Sequence, residues 1–341
     1  MKSAVFYGKH DLRIQDIPRP AIGPDEVLIQ VKACGICGTD VHIYEGDEGA
    51  AKVTAPTILG HEFAGIVVEI GERVKGLMKG DRVCADPNCY CGMCGPCRKG
   101  LVHYCENMIG YGTTVNGGFA EYCAVNARQI YKLGEHTSFE AGAMAEPAAC
   151  CLHGIEMCEI SMGEKVVIVG GGMIGLLMLQ LARLAGASRI ALIEPVEEKR
   201  RLAADLGADL CIDPWKEEPG AVLAANGMDE IRTVIECVGS PAAIQQAISL
   251  AGNRAIVMMF GLTRPDETVE IHPFECFKKE LTLKASYINP HTQGRALELI
   301  DSGRLDVTSM IGGVCGFNEL EDILSSPERR SRGKYILVPK Q

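Results

Sequence analysis

Apolar positions fall into two textures along the chain. Over residues 1–150 they form short runs punctuated by Gly, Pro and Asp: EVLIQVKAC from Glu26, FAGIVVEIG from Phe63, DRVCADP from Asp81 and FAEYCAV from Phe119. Runs this short, bounded by turn formers, predict an irregular β-rich domain. From Gly163 the runs become unbroken. KVVIVG, RIALIE, DLCID, TVIECVG, RAIVMMFG and LTLKAS predict six strands, with helices at Met173 to Ala185 and at Glu197 to Leu206. Strands that are apolar on both faces belong in a parallel sheet covered by helices on each side. Residues 151–286 therefore read as a doubly wound α/β domain. Residues 287–341 hold a helix around Gly294 to Asp301, a Gly-rich turn at Gly312 and Gly313, and a last strand, KYILVP. A tail of that length is too short for its own core, so it is predicted to return to the domain of residues 1–150.

Composition narrows the class. Hydrophobic residues make up 47% and charged residues 23% of 341 positions, ordinary soluble usage. Every apolar stretch is broken before the roughly 20 residues that cross a bilayer, and the N-terminal MKSAVFYGKHDLRI lacks the apolar core of a signal peptide. A cytoplasmic enzyme with no membrane partner is expected. The 44 acidic against 34 basic residues give a formal charge of −10, which opposes binding to a phosphate backbone, so nucleic acid is not an expected partner. Sixteen cysteines in a chain of this length point to metal ligands and buried thiols rather than to a disulfide framework.

Four of those cysteines, Cys91, Cys94, Cys97 and Cys105, lie in CGMCGPCRKGLVHYC, a turn-rich and poorly apolar loop. Thiolates two residues apart on tight turns can share one tetrahedral Zn²⁺, and four of them leave the ion no open position. A structural zinc is expected here. A second group, Cys37, His42, His61 and Glu62, lies in CGICGTDVH and LGHEF, and this mixture of soft and borderline ligands also suits zinc. Further on, VVIVGGGMIG sets Gly170, Gly172 and Gly175 in a GxGxxG register, with Met173 and Ile174 opening the helix. The pattern follows a strand and precedes a helix, the context in which a pyrophosphate sits on a helix N-terminus. Glu194 ends the next strand, where a carboxylate accepts from both ribose hydroxyls and repels a 2′-phosphate, favouring NAD over NADP.

Taken in order, the mixed cluster, the four-cysteine lobe and the glycine fingerprint resemble the zinc-containing medium-chain dehydrogenases over essentially the whole chain. The resemblance implies a GroES-like catalytic domain beside a Rossmann domain, a small-molecule alcohol substrate, and a homo-oligomer, dimer or tetramer. It implies that Cys37, His61 and Glu62 hold or neighbour a catalytic zinc. Glu146 falls where alcohol dehydrogenases carry a second cysteine ligand and polyol dehydrogenases a glutamate; either Glu62 or Glu146 would be the direct ligand. Thr39 would accept the substrate proton and His42 pass it to solvent. Lys199 would lie near the adenosine ribose, and Val238 and Gly261 at the nicotinamide contacts.

These implications favour oxidation of a secondary hydroxyl in a polyol or vicinal diol. Threonine 3-dehydrogenases share a very similar CGICGTDVHIY segment and are the alternative. They usually carry Asp-Pro where this chain has Glu146-Pro147, and SYINPHTQGRALELI resembles polyol dehydrogenases better. An inactive NAD-binding zinc protein would have lost the reactive ligands, all of which this chain keeps. Tyr44, Tyr111, Tyr287 and Asn289 are candidates for the substrate pocket wall.

Overall fold

The computed structural model describes residues 1–47 and 52–339. Contacts divide them into two units: Met1–Ala149 together with the segment from Asn289 onward, and Cys150–Ile288.

The first unit opens with a hairpin that the sequence reading did not single out. β1 (Lys2–Gly8) pairs antiparallel with β2 (Asp11–Asp16). β3 (Glu26–Gly35) follows, then the seven-residue helix α1 (Gly38–Tyr44), the short β4 (Thr57–Ile58), β5 (Glu62–Ile70) and β6 (Arg82–Ala85). β7 (Asn88–Cys89), α2 (Gly95–Arg98) and β8 (Ile109–Gly110) frame the cysteine lobe. β9 (Tyr122–Asn126), β10 (Ile130–Lys132), α3 (Phe139–Ala143) and α4 (Ala145–Cys158) come next. The main sheet runs β10-β6-β5-β3, continues into two strands of the returning segment, and takes β9 on β3. Its inward residues Val27, Ile29, Val31, Phe63 and Val67 pack with Phe119 into one core and are at most 2% exposed.

The second unit alternates strand and helix: β11 (Lys165–Val169), α5 (Met173–Leu184), β12 (Arg189–Ile193), α6 (Glu197–Asp205), β13 (Leu210–Ile212), α7 (Pro219–Ala225), β14 (Thr233–Glu236), α8 (Pro241–Leu250), β15 (Ile256–Met259), α9 (Pro273–Lys279) and β16 (Thr282–Ala285). All six strands are parallel, in the order β13-β12-β11-β14-β15-β16. Val166, Val167 and Ile168 on β11 and Ile190, Ala191 and Leu192 on β12 are wholly buried, as strands covered on both faces must be. The unbroken burial of α5 from Gly175 to Ala182 has the same cause.

The returning segment supplies α10 (Gln293–Asp301), β17 (Ile311–Cys315), α11 (Phe317–Ser325), α12 (Pro327–Arg330) and β18 (Lys334–Leu337). β18 lies antiparallel to β3, with Ile336 opposite Gly35 and Leu337 opposite Cys34. One expectation is corrected here. Gly312 and Gly313 do not make a turn; they lie inside β17, parallel to β18. A Cβ on Gly312 would stand 2.6 Å from the Arg332 carbonyl and one on Gly313 2.9 Å from the Tyr335 ring, so these glycines permit close strand approach rather than chain reversal.

Candidate active site

Local backbone chemistry brings the reactive cluster together. Cys37 is the N-cap of α1, and its amide donates to Asp40 Oδ2 at 2.8 Å, which anchors the first turn. His61 and Glu62 stand at the entrance to β5, and the β3–β5 register sets Glu62 opposite Gly35, two residues before Cys37. One ligand atom from each of Cys37, His61 and Glu62 falls within 4.8 Å of the others. His61 and Glu62 are buried, at 6% and 0% exposure, while Cys37 is half-buried.

Two residues the sequence reading did not assign surround this cluster. Asp40 Oδ1 lies 3.4 Å from His61 Nδ1, both buried, so Nε2 is the ring nitrogen that would be left for a metal. Burial opposes protonation of His61, but the carboxylate of Asp40 and the neighbouring Cys37 outweigh it and hold the ring well above the usual histidine range. On the other side, Lys334 of β18 forms a fully buried ion pair with Glu62 Oε2. A Cβ on Gly35 would lie 2.0 Å from that oxygen and 2.9 Å from Lys334 Cε, so the pair needs a glycine beneath it. Burial opposes the charge on Lys334, and Glu62, Cys37 and Asp40 restore it. Among the described residues Glu62 Oε1 has no polar partner, whereas Glu62 Oε2 meets only Lys334 and His61 Nδ1 meets only Asp40. The free carboxylate oxygen of Glu62 stands with the Cys37 sulfur and the His61 ring, and one thiolate, one imidazole and one carboxylate suit zinc.

The remaining site residues fall unevenly around this centre. Thr39 and His42 are one turn apart on α1 and so share a face. His42 is half-exposed, with Nδ1 3.6 Å from Asp47 Oδ2. Glu146 is buried in the first turn of α4 but does not join the Cys37, His61 and Glu62 group, so of the two glutamates Glu62 is the one the fold brings to it. Three of the pocket-wall candidates are otherwise engaged. Tyr44 donates to Glu321 at 2.8 Å, Tyr111 accepts from the Asn126 amide at 2.9 Å, and Asn289 donates to Asp86 at 3.2 Å and accepts from Asn88 at 2.7 Å. Tyr287 belongs to the second unit and is 41% exposed.

The sulfurs of Cys91, Cys94, Cys97 and Cys105 all lie within 4.8 Å of one another, with Cys94 and Cys105 at 3.9 Å. Four thiolates about 2.3 Å from one zinc would be roughly 3.8 Å apart, so the spacing fits a closed tetrahedron. Backbone N–H groups of Met93 and Cys94 donate to Cys91 Sγ and lower its pKa to about 6, favouring the thiolate. Little else holds this loop: its apolar cluster is Val102 with the cysteines, Tyr90 and Met108.

In the second unit Gly170 takes φ +102°, and Gly172 is the N-cap of α5 with open space where a side chain would be. A Cβ on Gly175 would stand 1.9 Å from the Gly170 carbonyl, so helix and strand close up only on glycine. Met173 and Ile174 begin the helix, both half-buried. Glu194 is 6% exposed and accepts from Gly171 N at 2.8 Å and Val196 N at 2.9 Å, which fixes its carboxylate against the glycine turn. Lys199 lies half-buried on α6; its neighbour Arg200 donates to the carbonyls of Glu194 and Pro195, both at 2.7 Å, and pairs with Asp213. Val238 and Gly261 follow the ends of β14 and β15.

With these geometries in place, the comparisons define the class. Residues 23–135 match the model of the alcohol dehydrogenase GroES-like domain and residues 173–302 that of zinc-binding dehydrogenases, the architecture of nucleotide-dependent alcohol oxidoreductases. L-threonine 3-dehydrogenase of Bacillus velezensis is 35% identical over 96% of this chain and 95% of its own. D-arabinitol dehydrogenase 1 of Uromyces fabae is 31% identical over 99% and 97%. A crystal structure of a proposed zinc-binding dehydrogenase from Sinorhizobium meliloti 1021, bound to NADP, superposes with a TM-score of 0.94 at 37% identity, covering 99% of each chain. The chain belongs to the zinc-dependent medium-chain alcohol dehydrogenase family.

Proposed function

We propose that this enzyme oxidises a secondary hydroxyl carrying a vicinal oxygen, a polyol or diol, to the ketone with reduction of NAD. The observation that carries the reading is the ligand set Cys37, His61 and Glu62. A single thiolate leaves a metal harder than two would, which favours a substrate offering two oxygens. Zinc held by these three residues would supply Lewis acidity, lowering the hydroxyl's pKa towards neutrality. The chain does the rest. Asp40 fixes the ring of His61, Lys334 compensates the charge of Glu62, and Thr39 Oγ1 takes the substrate proton and passes it to His42, half-exposed at the end of α1. Glu146, buried in the first turn of α4 and outside the ligand group, would meet such a metal through water. NAD, as hydride acceptor, is held by the Gly170–Gly175 turn at the N-terminus of α5, with Glu194 on the adenosine ribose.

Threonine is the second reading, because relatives that span nearly the whole chain carry that activity in their names. It too is a secondary alcohol with a heteroatom on the next carbon, so the same zinc would serve. Following NADH formation with sorbitol, xylitol, arabitol, their phosphates, butanediol and threonine separates the two. Turnover of threonine far above every polyol promotes the second reading, and no turnover of any of them defeats both.

The enzyme is proposed to act as a homo-oligomer. β16 is one of the two edge strands of the parallel sheet, and the preceding α9 exposes Phe274 and Phe277 at 68% and 78%. A strand with one open side, preceded by a helix with exposed aromatics, is a surface for a second copy about a two-fold axis. Among the described residues no helix is long and apolar enough to cross a membrane.

A further inference from the structure

We infer that Glu236 is the positioning residue for the nicotinamide half of the dinucleotide crevice. The inference rests on the cofactor reading above. In an open parallel sheet the crevice lies outside the carboxyl ends of the strands, where the order reverses. Here that point is between β11 and β14. The glycine turn after β11 takes the pyrophosphate and Glu194, after β12, takes the adenosine ribose. The other half of the dinucleotide must therefore extend over the ends of β14 and β15.

Glu236 is the last residue of β14, and its side chain is wholly buried. Its Oε1 accepts from the amides of Val238 at 2.6 Å and Gly239 at 2.8 Å, and its main-chain carbonyl accepts from Phe260 at 2.9 Å and Gly261 at 3.0 Å. One residue thus holds both loops that follow the two strands. The loops are also locked to each other. A Cβ on Gly261 would stand 2.1 Å from Gly239 N and 2.9 Å from Glu236 Oε2, and one on Gly239 would stand 2.5 Å from the Leu262 carbonyl. Val238 in turn lies over the dinucleotide turn, with its Cγ2 2.8 Å from where a Cβ of Gly170 would be.

The outward face of this assembly is apolar and uncovered: Val238 is 55% and Leu262 52% exposed. A flat ring that can lay one face on these side chains is a suitable occupant. Underneath, Glu236 Oε2 is buried and has no hydrogen-bond partner among the described residues. A buried carboxylate with one oxygen held by backbone N–H groups and the other unmet is a costly residue to keep in a core. What the carboxylate secures is the placement of Val238 and Gly239.

The test uses the zinc-loaded full-length enzyme and calorimetric binding of two probes, NADH and ADP-ribose, which lacks the nicotinamide ring. Glu236→Ala, and Glu236→Asp, which retracts the carboxylate by one methylene, are expected to weaken NADH about tenfold or more and raise the KM for NAD. ADP-ribose should stay within about twofold, because only the ring's half is disturbed. Glu236→Gln keeps the accepting oxygen at full length and should restore NADH binding to within about threefold of the parent. Should Glu236→Ala fail to fold, the contrast between Asp and Gln decides. Equal weakening of both probes, or no weakening of NADH in the Asp variant, overturns the inference. Failure of ADP-ribose to bind the parent overturns the cofactor reading instead.

Discussion

Asp40 Oδ1 lies 3.4 Å from His61 Nδ1, and the same carboxylate accepts from the Cys37 amide through its other oxygen. One buried side chain therefore orients two of the three residues grouped around the reactive centre. Removing such an outer partner of a metal-ligating histidine typically costs about 10- to 100-fold in metal affinity. Asp40→Asn is expected to lose zinc to a chelator within that range while retaining its far-UV spectrum. The parent should carry two zinc ions per chain. Mild chelation should remove one together with activity and leave the other on Cys91, Cys94, Cys97 and Cys105. A single zinc that departs together with the fold would contradict the two-site account.

Lys334 and Glu62 make a second prediction. Breaking a buried pair by removing one partner leaves an uncompensated charge, at a cost of about 3–5 kcal/mol. In Lys334→Met that cost falls on the metal-free protein, because a bound cation would replace the missing positive charge. Thermal unfolding with and without zinc should show the gap between apo and holo Tm widening relative to the parent. An unchanged gap would mean that Glu62 does not face the metal.

Asp86 supplies a pH dependence. It is buried, and burial pushes its carboxyl up from 3.8 to about 6, against the hydrogen bonds it accepts from Asn88 and Asn289. A raised carboxyl favours the folded state while protonated, so this contribution is complete below the unfolded pKa near 3.8 and is lost as pH rises through about 6. Asp86→Asn keeps an accepting oxygen and removes the loss. Its Tm should exceed the parent's at about pH 7, and the difference should shrink towards zero below about pH 4.

Glu194 bears on cofactor choice. Its carboxylate is pinned by Gly171 and Val196, so it cannot swing away from a 2′-phosphate without breaking both hydrogen bonds. Glu194→Ala combined with Pro195→Arg should move preference from NAD towards NADP by removing the repulsion and offering a charged partner. If the parent uses NADP as readily as NAD, the role given to Glu194 is wrong; the Sinorhizobium relative, bound to NADP, makes that comparison a necessary one.

Much of this was legible in the chain itself. Continuous apolar runs such as KVVIVG and RIALIE could only be strands covered on both faces, and the cysteine spacing left little besides a thiolate cluster. Other features depend on partners far apart in sequence. Lys334 reads as one more lysine before a terminal strand until the β18–β3 pairing sets it beside Glu62 over the gap at Gly35. Asp40 reads equally well as a helix-capping residue, and it is one; its second role requires His61 to arrive from β5. Asn289 and Tyr111 are polar residues of the kind that line pockets, but each is committed to a hydrogen bond within the first unit. Gly312 and Gly313 look like a turn because glycine most often marks one, and only the neighbouring Arg332 and Tyr335 show why β17 needs small residues.

The central claim is that the zinc centre of Cys37, His61 and Glu62 acts on a hydroxyl with an oxygen beside it. The direct measurement is kcat/KM of the zinc-loaded enzyme with NAD on 2,3-butanediol and on 2-butanol. The account predicts a preference for the diol of at least about tenfold, roughly 1.4 kcal/mol of extra transition-state binding, which one additional oxygen contact can supply. Equal values on the two alcohols, or a kcat/KM on threonine far above that on the diol, would contradict it.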